Sequence, residues 1–243
     1  MKINQEKCVG CGQCAVYCPM SAIEVVNRKA ILNEKKCVNC YNCIRNGCPV
    51  KALEVTELQW PYTLQESLSC PTGVDEKSGV SGRGTAEMKT NEVTGRIGHG
   101  KVGICLEFGR PGTGTTFYDV EKACKCLGKH HAYFEPLNPV TYVMSNTETG
   151  EIQEDVKPLF VLSAIVEALI DADQLEAVLE DVKMLAKEVD TVFSVGVSSL
   201  VKEDGSTYFD ETIEKMGLSV YPEGKTNVGL GRPLFDFSKG EQR

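Results

Sequence analysis

The chain is poor in the residues that most enzymes use for acid–base work. Its 243 residues include three His (His99, His130 and His131) and one Trp, Trp60, and aromatics make up 7%. No Ser/His/Asp or Cys/His set is arranged for nucleophilic catalysis. No apolar run reaches the roughly 20 residues that cross a bilayer. The longest, Pro158 to Ile170, is shorter and contains Glu167. The opening residues Met1-Lys2-Ile3-Asn4 run straight into polar sequence, without the apolar stretch of a secretory leader. A cytoplasmic, reducing and oxygen-poor setting is therefore expected, with no membrane span. No basic stripe or helix-turn-helix pattern points to nucleic acid.

Cysteine, by contrast, is abundant, with twelve in the chain. Eight fall in two runs. In the first, Cys8, Cys11 and Cys14 are two residues apart and Cys18-Pro19 follows after three. In the second, Cys37, Cys40 and Cys43 repeat that spacing and Cys48-Pro49 follows after four. Three thiolates two residues apart can wrap three corners of one iron–sulfur cube. In bacterial C-x2-C-x2-C-x3-C-P runs the last Cys serves the other cluster. The two runs then interlock: Cys8, Cys11, Cys14 and Cys48 are the expected ligands of one [4Fe-4S] cluster, and Cys37, Cys40, Cys43 and Cys18 of the other. Zinc knuckles are paired C-x2-C units that need neither the third Cys nor the Pro. A radical-SAM cluster uses one three-Cys motif, not two four-Cys runs. Disulfides do not fit these spacings.

The runs continue alike, into Ala22-Ile23-Glu24-Val25 and Ala52-Leu53-Glu54-Val55. This internal duplication resembles the bacterial-type two-[4Fe-4S] ferredoxins over residues 1–57. The resemblance implies two saturated clusters that exchange single electrons at low potential. The four-residue gap before Cys48 departs from the pattern. A bulge at Asn46-Gly47 is the expected remedy, with Gly47 taking positive φ at little cost.

Charge is unevenly shared. Residues 1–57 carry eight Lys and Arg against five Asp and Glu, a formal +3, so the remainder holds −11 of the net −8. Two oxidised clusters with about two negative charges each would bring the head to about −1. It would lack the strongly acidic face of many soluble ferredoxins.

The division expected along the chain is a ferredoxin domain (1–57), a Gly-rich bridge or arm (58–100), an α+β sandwich domain (101–203) and an irregular C-terminal extension (204–243). In the head, Lys2–Gln5 and Leu53–Thr56 read as outer strands and Ala22–Val26 with Lys29–Asn33 as a hairpin. Val9, Val16, Ile23, Val38, Ile44, Val50 and Leu53 are expected to coat the clusters, with Tyr17 and Tyr41 packed beside them. Thr85–Glu92 reads as a turn or two of helix in a basic stretch with Arg83, Lys89, Arg96 and Lys101. Beyond it, Val102, Ile104, Leu106 and Phe108 alternate as in a strand. Thr116 is the expected cap of a helix Phe117–Leu127. Ala132–Pro136 and Val140–Ser145 read as strands and Leu159–Ile170 as a buried helix. Asp173 is the expected cap of the next helix, and Thr191–Leu200 reads as a strand. After them, Phe209–Met216 reads as a short helix and Leu218–Tyr221 as a strand. The order suits an α+β, ferredoxin-like βαββαβ sandwich.

Four Cys remain: Cys70, Cys105, Cys124 and Cys126. Spaced ~200° apart on one helix, Cys124 and Cys126 cannot share a metal, and buried free thiols are the plainer reading. A zinc site from Cys126, His130 and His131 lacks a fourth ligand. The loop Gly109–Thr115 precedes a helix and Arg110 adds charge, but it matches no phosphate-binding fingerprint, and a tight turn is expected. The chain thus reads as a dedicated electron-transfer subunit for a redox protein or oxidoreductase complex, with homo-oligomerisation open. A ligand-sensing regulator of electron flow, and an enzyme with a substrate site at the domain junction, are the alternatives.

Overall fold

Two short strands pin together the ends of the first cysteine-rich stretch. The computed structural model describes residues 1–77, 79, 96–109, 112–220, 235–236 and 241–242. In chain order come β1 (Lys2–Ile3), the helical turn α1 (Gln13–Val16), β2 (Ile23–Val26), β3 (Lys29–Leu32), α2 (Asn42–Gly47) and β4 (Leu53–Glu54). Strand β4 returns antiparallel to β1, with Ile3 opposite Leu53. β2 and β3 form the expected hairpin. Asn27 (φ 49°) and Arg28 (φ 60°) both take positive φ at its turn, the backbone that matches the twist of a two-residue hairpin.

The expected bridge begins as ordered structure. Helix α3 (Tyr62–Ser67) buries Leu64, Gln65 and Ser67, and Leu68 and Cys70 behind it are also buried. Leu64 and Leu68 belong to the same apolar core as the strands that follow. The Thr85–Glu92 helix reading, with Arg83 and Lys89, lies outside the described residues.

The second unit contains β5 (Lys101–Phe108), β6 (Thr115–Thr116), α4 (Phe117–Gly128), β7 (Tyr133–Phe134), α5 (Pro139–Tyr142), β8 (Met144–Asn146), β9 (Glu151–Ile152), β10 (Phe160–Val161) and β11 (Ala164–Asp171). A 3-10 turn at Ala172–Gln174, α6 (Leu175–Leu185), β12 (Phe193–Ser198) and α7 (Asp210–Lys215) complete it. Four strands make its main sheet in the order β12-β5-β11-β7, every pair antiparallel. Val102, Ile104, Leu106 and Phe108 of β5 share one core with Phe117, Val120, Cys124 and Leu127 of α4 and with Leu175, Val178 and Val182 of α6. The chain is therefore a mixed α+β protein. Among the described residues no helix is long and apolar enough to cross a membrane.

Several elements differ from expectation. Leu159–Ile170 is not a helix: β10 and β11 occupy it. β11 is hydrogen-bonded on both edges, to β5 and β7; the face of Ala164, Val166, Ala168 and Ile170 is buried, and the other passes from buried Ile165 through half-buried Glu167 and Leu169 to exposed Asp171. Ile165 and Leu169 share that second face with Glu167 and Asp171, so the alternation is weak and the stretch reads as a nearly continuous apolar run. Val140–Ser145 is not one strand: Pro139–Tyr142 is helical and only Met144–Asn146 is extended. The Asn138 side chain accepts from the Val140 amide at 2.8 Å, and Pro139 sits at the first helical position, where its missing N–H costs nothing. Thr116 stands at the start of α4 but makes no cap bond to the backbone. Its hydroxyl meets the Asp119 carboxylate at 3.4 Å instead. Asp173 lies within the 3-10 turn and does not cap α6. Leu218–Val220 form no strand, and Tyr221 lies outside the described residues. The Gly114 amide donates to the Gly109 carbonyl at 3.0 Å; Arg110 and Pro111, within the expected turn, lie outside the described residues.

Candidate iron–sulfur centres

The first site is built on a loop whose tightest point, Gly10, leaves no room for a side chain. Gly10 (φ 69°) lies so close to the hairpin turn that an added Cβ would run into the Arg28 carbonyl. Gly12 (φ 80°) precedes α1, which carries Cys14. The corresponding loop of the second run holds Asn39 (φ 53°) and Tyr41 (φ 56°) in the same left-handed region, which a bulky residue such as Tyr seldom adopts. Each run therefore turns its first two Cys inward by the same backbone path.

Cys8, Cys11, Cys14 and Cys48 line one cavity, together with Val9, Gly47 and Val50. Cys48 reaches it without the expected bulge. α2 is six residues long against four for α1, so the additional residue is taken up as helix. Gly47 is not among the positive-φ glycines. Its value is proximity: an added Cβ would lie 3.0 Å from the Cys14 Cα, so Gly47 lets α2 press against α1. Of the other four thiols, Cys18 is near enough to add to the effect of burial on Cys37 and Cys40, and Cys40, Cys37, Cys18 and also Cys14 add to it on Cys43. Cys48 thus joins Cys8, Cys11 and Cys14 of the other run in one cavity, and Cys18 lies near Cys37, Cys40 and Cys43.

Backbone amides point at the sulfurs. The Ala22 amide donates to Cys18 Sγ at 3.2 Å, the Ala52 amide to Cys48 Sγ at 3.0 Å, and the Ala30 amide to Cys8 Sγ at 3.4 Å. The first two are equivalent: both arise from C-P-x-x-A, with Ser21 and Lys51 at positive φ (47° and 50°). That duplicated Ala was the sequence signal for these donors, and sequence reasoning overlooked it. The Ala30 amide leads in holding the Cys8 thiol below its ordinary pKa. Burial pushes Cys14, Cys37 and Cys40 up, and takes Cys43 to about 12, the neighbouring thiolates adding to the effect. Crowded, desolvated thiolates need a cation to neutralise them, and binding one releases their protons.

Among the described residues no three His, Cys, Asp or Glu converge tightly enough for a single metal ion. The thiols surround a cavity rather than a point, and all-thiolate sets of four are the donors that [4Fe-4S] clusters take. The residues present fit that group.

Some expectations about the surroundings change. Ile23, Val38 and Leu53 are buried, but Val9, Val50 and above all Val16 (78% exposed) are not. Tyr41 is buried and Tyr17 exposed. The second site is covered by the rest of the chain: Val38, Cys40 and Leu162 form one apolar cluster, with Met20 and Phe160 packed on it. Gln65 of α3 fastens it, accepting from Asn39 Nδ2 and donating to the Phe160 carbonyl, both at 3.0 Å. The Leu162 amide donates to Ser69 Oγ at 3.2 Å.

The remaining cysteines are dispersed. Cys70 is buried beside Arg45, whose guanidinium donates to its Sγ at 3.5 Å. Cys105 lies on β5 beneath Gly196, where an added Cβ would meet its Sγ at 2.7 Å. Cys124 is in the core, and Cys126 is buried too. His130 pairs with Asp181 at 3.0 Å.

A further polar group was not foreseen. Glu167, alone in its apolar run, accepts from Asn138 Nδ2 at 2.8 Å. Burial pushes its carboxyl up to about 7, with Asn138 opposing and Glu135 and Glu107 adding. The folded state therefore keeps a proton that the unfolded chain loses between about pH 4.5 and 7. Stability falls as pH rises through that window and is level above it. Glu167→Gln is expected to flatten this profile in urea unfolding and to stabilise the protein at pH 8 by about 2–3 kcal/mol. An unchanged slope would contradict it.

Comparison with known proteins agrees with the cysteine geometry. Residues 1–24 match the 4Fe-4S binding domain family. Over 78 residues the chain is 31% identical to the B subunit of the anaerobic dimethyl sulfoxide reductase of Haemophilus influenzae, covering 28% of this chain and 37% of that one. It is 40% identical over 52 residues to a ferredoxin of Pyrobaculum islandicum, 21% of this chain and 48% of the other. It is 41% identical over 39 residues to a ferredoxin-like protein in the nif region of Sinorhizobium fredii, 16% of this chain and 61% of the other. The chain thus spans between 37% and 61% of the length of these relatives. No solved structure matches. The N-terminal segment is accordingly a 4Fe-4S binding domain with ferredoxin homologues.

Proposed function

We propose that the chain is an electron-transfer subunit that passes single low-potential electrons to or from an oxidoreductase partner, by way of two [4Fe-4S] clusters. The observation that supports this reading is that Cys48 joins Cys8, Cys11 and Cys14 in one cavity, with Cys18 close to Cys43, Cys40 and Cys37. Cys8, Cys11, Cys14 and Cys48 would hold one cluster (site I), and Cys18, Cys37, Cys40 and Cys43 the other (site II). When bound, such clusters take up and release one electron at a time. The chain's own residues supply ligation and tuning. The Ala22, Ala30 and Ala52 amides donate to Cys18, Cys8 and Cys48, and hydrogen bonds to ligand sulfur are among the levers on potential. Leu162 and Phe160 exclude water from Cys40.

In this reading residues 1–57 are the ferredoxin unit, 58–100 the connection, 101–203 a ferredoxin-like βαββαβ sandwich and 204–243 the extension. The sheet order β12-β5-β11-β7 supports the sandwich: counted along the chain, it places the fourth strand beside the first and the third beside the second. Anaerobic potentiometric titration followed by EPR tests the function. Two reversible one-electron centres well below zero potential are expected. Irreversible loss of iron on reduction would contradict it.

A further inference from the structure

The internal duplication provides the same loop in two settings. Val38 is 3% exposed and Val9, its counterpart, 55%. Cys40 is buried, and Cys11, at the matching position, is exposed. The difference is what lies on top: Leu162 and Phe160 cover the second loop, and among the described residues nothing comparable covers the first. The mouth of site I is apolar. Val9 and Val50 line it, and Val25 approaches Gly12, its Cγ2 3.9 Å from where a Cβ would be. All three are exposed. Cations surround it. Arg28 is exposed and its backbone abuts Gly10. Lys29 Nζ donates to the Cys8 carbonyl at 2.7 Å, and exposed Lys51 follows Val50. The nearby carboxylate of Glu54 is engaged by Lys2 and Lys7, each at 3.5 Å.

We propose that this face, with Val9, Cys11, Val25 and Val50 at its centre and Arg28, Lys29 and Lys51 at its rim, is the docking surface for an external one-electron redox protein. That partner presents an apolar segment, as Phe160–Leu162 does to site II, inside an acidic rim. The proposal rests on the electron-transfer reading. It also gives the two sites an order: site I faces the external partner and site II faces the protein's own second unit. Complementary charge adds association rate and selectivity, and salt weakens it; the apolar centre supplies contact area.

The test uses an acidic flavodoxin as the probe, titrated calorimetrically into the intact, iron-loaded protein under anaerobic conditions. Binding is expected at low salt, weakened severalfold when salt is raised. Arg28→Glu and Val25→Glu, both at exposed positions, are each expected to weaken it tenfold or more with iron and sulfide content unchanged. Val201→Glu, exposed in the second unit, is expected to leave it intact. Failure of the unaltered protein to bind flavodoxin overturns the proposal. Equal binding by the Arg28 and Val25 variants, or an equal loss in the Val201 variant, overturns it too. Stopped-flow mixing of the reduced protein with flavodoxin separates the two readings. Binding without electron transfer leaves the docking face standing and contradicts the electron-transfer function beneath it.

Discussion

Cys48→Ala is expected to strip one site and spare the other. Cys48 lies past the end of α2 yet lines the cavity of Cys8, Cys11 and Cys14, and Gly47 holds α2 close enough to α1 for it to arrive there. Removing its thiolate leaves site I with three ligands. The expected product is a three-iron cluster there, visible by EPR after oxidation, while the site of Cys18, Cys37, Cys40 and Cys43 keeps its four iron. Loss of the site II signal instead would mean that Cys48 serves its own run. Retention of two stable four-iron centres would mean that another residue completes site I.

Gly10→Ala is expected to block assembly of site I altogether, although it removes no ligand. An alanine there must hold a left-handed backbone, which costs about 1–2 kcal/mol. Its Cβ must also displace the Arg28 carbonyl at the turn of the β2–β3 hairpin. Gly12→Ala is the internal control. Its φ is also positive, but its added Cβ would meet only Val25, at 3.9 Å, so assembly is expected to survive. Iron per chain, measured after anaerobic reconstitution, should fall by about half in the first variant and stay near the unaltered value in the second. Equal loading of the two variants would contradict this account of the loop.

The cysteine sites were legible because metal ligation is written in local spacing and then repeated. A local error concerned Asn46 and Gly47: a spare residue can be absorbed as a bulge or as further helix, and only the packing of α2 on α1 decides. In the second unit, β5 was legible because Val102, Ile104, Leu106 and Phe108 alternate with Gly103, Cys105 and Glu107, although both faces are largely buried, and α6 because one buried face imposes a helical period on Leu175–Leu185. In β11 the apolar Ile165 and Leu169 fall on the less buried face, which hides the alternation, so Leu159–Ile170 looked like a buried helix. α5 rests on one Asn-Pro step, and α3 sits in a stretch read by its glycines. What no single-chain pattern could reveal is the covering of Val38 by Leu162, more than a hundred residues away in sequence. The same holds for Gln65, whose two hydrogen bonds join units that are separate in sequence. These are tertiary facts, and they distinguish the two sites that the sequence makes alike.

The central claim is that the chain holds two four-iron clusters on its two crossed sets of thiolates. Iron and acid-labile sulfide assayed on anaerobically purified protein test it most directly. The expected result is about eight of each per chain, with little zinc. About four of each, or zinc in place of iron, would contradict it.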